Sequence, residues 1–338
     1  MNHEYVDVLI IGAGPAGLRC AEVLGNSGLS VLILEKNKVV GPKVCAGGVT
    51  GLVPGEDLPT DKGVRFYQHH VFVNGKESVI SLKHPIAMID RHTLGDFQLN
   101  RLKRLNVRIY TDNKVISVNH DYAVTKRGAK IYFRHLVGAD GAISLVRRYL
   151  GLKNKFYIGM QYITPKTYAK CCWVVQPRVL RSGYGWIFPH KKFTSAGVYF
   201  NPKLVPHETA KEFLRSILQR HDLDHPEAKL ETAPINCRYS GVKFKNIFLA
   251  GEAAGLVSAA SGEGIAYALT SGEDIGRHIV NPAYNFKQTD RLLQYKQRQE
   301  MALQVLDSVP TVLQDIMFMI FVRLLAAQIL RNYFEGVE

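Results

Sequence analysis

The chain has 338 residues, of which 46% are hydrophobic and 21% charged, a composition that excludes disordered, collagen-like and disulfide-scaffold proteins and allows more than one domain's worth of core. Its five cysteines, Cys20, Cys45, Cys171, Cys172 and Cys237, fit neither a disulfide framework nor a zinc or cluster spacing, so a reducing, cytoplasmic compartment and no metal are expected. The formal charge of +14 comes from scattered basic runs, which argues against nucleic acid; an anionic membrane surface, a phosphorylated substrate or a generally basic solvated surface all fit it.

The chain enters a strand by residue 6, which leaves no room for a signal peptide. Val8–Ile11 reads as a strand buried on both faces, and it runs directly into Gly12-Ala13-Gly14-Pro15-Ala16-Gly17. A helical pattern (Leu18, Ala21, Leu24) follows. In this arrangement Gly12 permits the tight turn, Gly14 lets backbone approach a pyrophosphate, and Gly17 lets the helix pack on the strand. The helix N-terminus then offers free N–H groups and a positive dipole end to the phosphates. A second strand, Ser30–Leu34, ends at Glu35, where a carboxylate can take a ribose hydroxyl pair. Strand, turn, helix, strand and acid in this order indicate a dinucleotide site.

The loop Gly41–Gly48 places Cys45-Ala46-Gly47-Gly48 just past that acid, where glycines let backbone run beside a ligand. Cys45 suits either contact with a redox ring, including proton delivery, or simple apolar filling. Residues 63 to 90 contain short alternating runs, Val64–Tyr67, His70–Val73 and Ser78–Leu82, with Asn74-Gly75 as a type I′ hairpin turn, so an antiparallel sheet is inserted here. A helix follows with Asp90 or Thr93 as its cap, and Arg91 near its start is either a phosphate partner or an exposed arginine. Further short strands are expected at Val107–Tyr110, Val115–Val118, Ala123–Thr125 and Lys130–Phe133. Leu136–Gly138 then gives a strand ending in Asp140-Gly141, the position where doubly wound folds bind ligand.

Residues 155 to 237 are again strand-like and aromatic, with one helix over His207–His221. Tyr184, Trp186 and Phe188 share one face of a strand and form either core or a substrate wall. Another buried strand ends in Gly251-Glu252, and Gly262-Glu263-Gly264-Ile265 opens a helix to about Ile279 whose start suits an anionic ring system. Residues 287 to 334 read as helical throughout, and Val309–Leu330 is apolar nearly all round, which implies burial or a lipid-like contact. The apolar stretch Ile316–Ile329 is broken by Arg323 and too short to span a bilayer.

Taken together, Gly12–Gly17 with Glu35, Gly138–Gly141 and Gly251–Gly255 resemble the FAD motifs of the p-hydroxybenzoate hydroxylase-like flavoproteins. More narrowly, Pro42-x-x-Cys45-Ala46-Gly47-Gly48, Asp90-Arg91 and Tyr184-x-Trp186-x-Phe188-Pro189 resemble the geranylgeranyl reductase family. Two positions depart from that family: Glu252 stands where it has Asp, and His190 where it has Lys.

The resemblance implies an α/β fold with a Rossmann-type FAD-binding domain in three pieces, 1–62, 90–155 and 238–286. It further implies an antiparallel-sheet substrate domain, 63–89 and 156–237, and a C-terminal helical segment, 287–338. FAD contacts are expected from Gly12 to Gly17, Glu35, Lys36, Cys45 to Gly48, Arg91, Val115, Asp140, Gly141, Gly251, Glu252, Gly262, Gly264 and Ile265. Cys45, Tyr184 and Trp186 are the expected catalytic residues, Cys45 beside the isoalloxazine and Tyr184 and Trp186 lining the apolar channel that holds the prenyl chain. Reduced flavin would deliver hydride to an isoprenoid double bond, supplied by an external donor (NAD(P)H, ferredoxin or a quinol) that has no second Rossmann motif here to bind it. The substrate would be a prenyl lipid or diphosphate and the partner surface a membrane, met peripherally. A monooxygenase or halogenase of the same fold and a non-catalytic FAD-binding protein are the competing readings.

Overall fold

A computed structural model describes residues 3–50, 53, 58–59, 61–327 and 329. In chain order the first elements are β1 (His3–Ile11), α1 (Pro15–Leu24), β2 (Val31–Leu34), β3 (Gly48–Val49), β4 (Val64–Val73), β5 (Lys76–Met88), α2 (Arg91–Leu102) and β6 (Val107–Tyr110). Then come β7 (Val115–Val118), β8 (Tyr122–Thr125), β9 (Lys130–Gly138), α3 (Leu145–Tyr149), β10 (Phe156–Thr164), β11 (Cys172–Val175), α4 (Pro177–Leu180), β12 (Tyr184–Pro189) and β13 (Thr194–Phe200). The last are α5 (His207–Arg220), β14 (Lys229–Asn236), β15 (Lys243–Phe244), β16 (Ile247–Leu249), α6 (Ile265–Val280), α7 (Lys287–Ser308) and α8 (Thr311–Ala326).

Two sheets organise the molecule. The first runs β15-β16-β9-β1-β2-β6, with β8 pairing β9 and β7 pairing β8. β16, β9, β1, β2 and β6 pair in parallel with one another, and β15 pairs antiparallel with β16. Val8, Leu9, Ile10, Leu32 and Ile33 are wholly buried, as strands covered on both faces require. Each such side chain contributes about 1.5–3 kcal/mol by leaving water. On one face α1 packs against α6 through glycines: a Cβ at Gly272 would lie 2.2 Å from Ala16 O.

The second sheet runs β14-β10-β13-β12-β11-β4-β5-β3. It is antiparallel except between β4 and β11, which pair in parallel with Val71 opposite Trp173. No hairpin joins those two strands, so nothing local forces them antiparallel. One face packs on α5 through Val174, Ile187, Val198 and Phe213. The other packs under α7 and α8, where Trp186, Phe188 and Tyr199 share a cluster with Leu303, Val322 and Leu325.

Several expectations change in detail. Val64–Tyr67 and His70–Val73 are one strand, because a register irregularity between Phe66 and Gln68 shifts the phase of the alternation. Lys130–Phe133 and Leu136–Gly138 are likewise one strand, whose apolar pattern is interrupted by Arg134 and His135. The helical run after 287 divides at Val309-Pro310, where proline lacks an N–H and disfavours helix in the residue before it. Residues 330 to 334 of that run lie outside the described residues. α8 carries apolar side chains on both its faces: Val322 and Leu325 are buried, with Gln314 and Asp315 beside them, while Val312, Leu313, Ile316 and Ile320 face outward. Asn74-Gly75 does make the hairpin, with φ of 50° and 82°, and Asp90 caps α2 by accepting from Thr93 N–H at 2.9 Å. Among the described residues no helix is long and apolar enough to cross a membrane.

Candidate flavin and substrate site

The three glycine-rich segments expected to form one site converge. A Cβ at Gly12 would lie 2.4 Å from Ala139 O, one at Gly17 2.1 Å from Gly12 O, and one at Gly251 3.3 Å from Ala16 Cβ. Gly12 and Gly17 are therefore required by the packing of the protein itself. Gly14 is different. A Cβ there would meet only Ala139 O, at 4.0 Å, so the space above it is left open by the protein. α1 begins there with Pro15 in its first turn, and the N–H groups of Ala16 and Gly17 have no intrahelical partner. An open surface over exposed N–H groups fits a pyrophosphate.

Glu35 is 8% exposed. Its carboxylate accepts from Ala13 N–H and Asn37 N–H, both at 2.8 Å, which fixes it at the end of β2 with lone pairs left for ribose hydroxyls. Lys36 is exposed, and Val115 lies in the same apolar cluster as Ile11 and Leu34. Arg91 stands at the start of α2, where its backbone oxygen would meet a Cβ on Gly41 at 2.8 Å. Its Nε is buried and has no hydrogen-bond partner. An orphaned guanidinium N–H is costly unless something anionic completes it, which fits a bound phosphate.

Asp140 is engaged within its own segment: its oxygens accept from Ser144 Oγ at 2.5 Å, Leu145 N–H at 2.6 Å and Val146 N–H at 3.3 Å, which braces the start of α3 together with its N-cap, Ser144. Burial still pushes this carboxyl above its ordinary range. Gly141, with φ of 78°, turns the chain toward Glu252, whose Oε2 would lie 3.9 Å from a Cβ there. Glu252 is ion-paired with Lys43 and accepts from Asn236 N–H at 3.3 Å. The longer side chain at this position thus ties the 41–48 loop to the third motif.

That loop is the hub of the site. His190 Nε2 lies 2.9 Å from Ala46 O, and a Cβ at Gly48 would lie 2.8 Å from the Phe188 ring. Thr50, two residues beyond, donates to Glu263. Cys45 Sγ accepts from Gly47 N–H at 3.4 Å and packs against the cluster that contains Ile265. Gly262, with φ of 68°, carries the chain under the Tyr199 ring, and Gly264 precedes α6. Tyr184 donates to Ser261 O, and burial pushes its phenol far up. Trp186 is 6% exposed; its indole lies across Gly197 and donates to Ser195 Oγ at 2.9 Å, so its N–H is already committed.

Four contributors went unread in the sequence. Lys43, Thr50 and Asn236 act through partners distant in the chain, which no local pattern marks. Arg147, fully buried, donates to the carbonyls of Ala253, Lys153 and Arg238 and to Ser240 Oγ, holding the Gly251–Ala254 turn against α3. Of the neighbours Arg147 and Arg148, only Arg148 is exposed.

Residues 7–163 match the lycopene cyclase protein family. The geranylgeranyl diphosphate reductase of Rhodobacter capsulatus is 30% identical over 290 residues, 79% of this chain and 73% of that protein. A digeranylgeranylglycerophospholipid reductase of Methanosphaera stadtmanae is 27% identical over 333 residues, 87% of this chain and 82% of that one. A geranylgeranyl bacteriochlorophyll reductase-like structure from Thermoplasma acidophilum superposes with a TM-score of 0.83 at 18% identity, over 98% of this chain and 94% of that one. With three converging glycine motifs, an open cradle at Gly14 and an orphaned Arg91, the chain belongs to the geranylgeranyl reductase family and is a flavin-dependent oxidoreductase.

Proposed function

We propose that this protein saturates double bonds of a geranylgeranyl or longer polyprenyl chain carried on a lipid or diphosphate. The observation that carries the reading is one continuous apolar face of the second sheet. Val71, Trp173, Tyr184, Trp186, Phe188 and Tyr199 line it, and Tyr184 joins its edge to Ser261 at the start of the third glycine segment. This aromatic layer is closed by α7 and α8, so a chain admitted between sheet and helices would meet apolar contacts almost throughout, which suits an isoprenoid and offers little to a polar substrate.

FAD, when bound, supplies hydride for the addition. Gly12 to Gly17, Glu35 and Arg91 would hold its nucleotide half, and the segments around Cys45–Gly48, Glu252 and Gly262–Ile265 its ring half. The chain's own contribution is positioning and water exclusion: Tyr184 and Trp186, each fixed by a hydrogen bond, hold the alkene in one orientation. Cys45 stands where a thiol can touch either ring or substrate. Outward-facing Met301 and Val305 of α7 and Val312, Leu313, Ile316 and Ile320 of α8 form a stripe that, with the +14 charge, suits peripheral docking on an anionic membrane where prenyl lipids reside.

The test is mass spectrometry on a geranylgeranyl phospholipid incubated anaerobically with the dithionite-reduced holoprotein. A gain of two hydrogens per double bond is expected. Unchanged lipid, with hydroxylated or halogenated product formed only when air and a small aromatic are added, refutes the reading.

A further inference from the structure

Saturating an alkene needs a proton as well as a hydride, and the site holds a carboxyl for which no role has yet been found. Glu263 lies between Gly262 and Gly264 on a backbone locked on both sides: Ser258 N–H donates to Glu263 O at 3.0 Å and Gly262 N–H to Ser258 O at 2.8 Å. Tyr199 donates to Ala259 O at 3.1 Å and Tyr184 to Ser261 O, which pins the same turn from the second sheet. The Ser258 hydroxyl leaves this turn to donate to Gln299 of α7 at 2.6 Å, and the Glu263 side chain reaches the other way, across to Thr50 just beyond the Cys45–Gly48 segment. Among the described residues no cation pairs with it and the Thr50 hydroxyl is its one hydrogen-bond partner. The ionisable groups facing it are phenols, Tyr184 from β12 and Tyr267 within α6, and both are themselves pushed up by burial.

We propose that Glu263 is the proton donor that accompanies hydride addition, and that Thr50 holds its carboxyl toward the reacting chain. In that step a hydride from the reduced flavin forms a C–H bond at one alkene carbon and the Glu263 proton forms the other. The alkene gains two electrons, the flavin loses two, and the carboxylate left behind takes a proton from water. An external reductant then restores the flavin. Burial favours the neutral acid, against the opposing pull of the Thr50 hydroxyl. The alternatives in the site are poorer donors: the Tyr184 proton is given to Ser261 O, the Tyr267 hydroxyl is buried without a partner, and His190 is held by Ala46 O with burial favouring its neutral form.

The assignment rests on the prenyl-reduction reading, and one set of experiments separates the two. Full-length holoprotein and its Glu263→Gln variant, which keeps the shape and can still bond Thr50, are compared in anaerobic single turnover with a geranylgeranyl phospholipid. The wild-type rate should fall as pH rises through the carboxyl's range, and Glu263→Gln should lose that limb and be slower by about 10²–10⁴-fold. FAD affinity should stay within about threefold, less than 0.7 kcal/mol. Infrared spectroscopy across the carboxyl's titration should show a protonated-carboxyl C=O band in the wild type that persists above the pH at which a free glutamate loses it and is missing from Glu263→Gln; this reads the proton without turnover and decides the matter even if the variant folds poorly. A wild type that saturates the lipid with a variant matching its rate and pH profile, or a wild type without that band, overturns this assignment alone. A wild type that leaves the lipid unchanged overturns both.

Discussion

Glu35, at the end of β2, and Glu263, just before α6, are both acids set among glycines, yet Glu35 holds two backbone N–H groups and Glu263 a single side-chain hydroxyl. The same contrast runs through their surroundings. At the nucleotide end, Ala13 N–H, Asn37 N–H and the α3 N–H groups satisfy Glu35 and Asp140 within a short span of chain. At the ring end, Thr50 follows β3, Tyr184 and His190 sit at the two ends of β12 and Glu263 precedes α6, and each side chain has a single hydrogen-bond partner among the described residues: Thr50 bonds Glu263, Tyr184 bonds Ser261 O and His190 bonds Ala46 O. Backbone amides fix a carboxylate in place, which suits binding; a carboxyl raised by burial and held by one hydroxyl keeps its proton to a higher pH, ready for a partner brought beside it, which suits chemistry.

Substitutions can break that contrast, the largest effects on flavin binding falling at the nucleotide end. Gly14→Val should leave the fold intact, because the protein leaves room there, yet weaken FAD by about 100-fold or more, about 2.7 kcal/mol. Gly17→Ala should do the reverse of this, forcing the backbone apart at about 1–3 kcal/mol or more; thermal melts of the apoproteins and flavin fluorescence titrations distinguish the two. A Gly14→Val protein that purifies with full flavin would dissolve the cradle. Arg91→Met should cost about 1.5–3 kcal/mol of FAD affinity through one charge-assisted bond while sparing the apoprotein, whose buried Nε has no partner to lose.

At the ring end, substitutions should act on turnover and leave binding alone, and Cys45 should give a smaller effect than Glu263. Cys45→Ala should retain FAD and slow prenyl reduction about tenfold, about 1.4 kcal/mol in the barrier; turnover at the wild-type rate would reduce Cys45 to packing. The finest distinction lies in stability against pH. A carboxyl raised on folding contributes stability that is present below its unfolded value and lost as pH climbs toward the folded one. Wild type should therefore lose stability relative to Glu263→Gln over that interval, by at most about 1.4 kcal/mol per pH unit in denaturant titrations.

The nucleotide end was legible in the sequence because its determinants are local: Gly12, Gly17 and Glu35 follow from one strand–turn–helix–strand unit whose packing needs those residues. The Asn74-Gly75 hairpin and the Asp90 cap were readable for the same reason. The ring end was only half legible. Cys45, Tyr184 and Gly262 could be singled out, but the Thr50–Glu263 and Lys43–Glu252 pairs span more than 200 residues, and Asp140's role in bracing α3 depends on a five-residue helix too short to show periodicity. The β4–β11 parallel pairing joins two separate insertions, and no spacing rule announces it.

The central claim is that flavin in this protein passes its electrons to an isoprenoid alkene. Its most direct test follows flavin absorbance in rapid mixing of the anaerobically reduced holoprotein with vesicles containing geranylgeranyl phospholipid, against vesicles of the fully saturated lipid. Reoxidation with the unsaturated vesicles alone is the predicted result. Flavin that stays reduced with both, or is reoxidised equally by both, would contradict it.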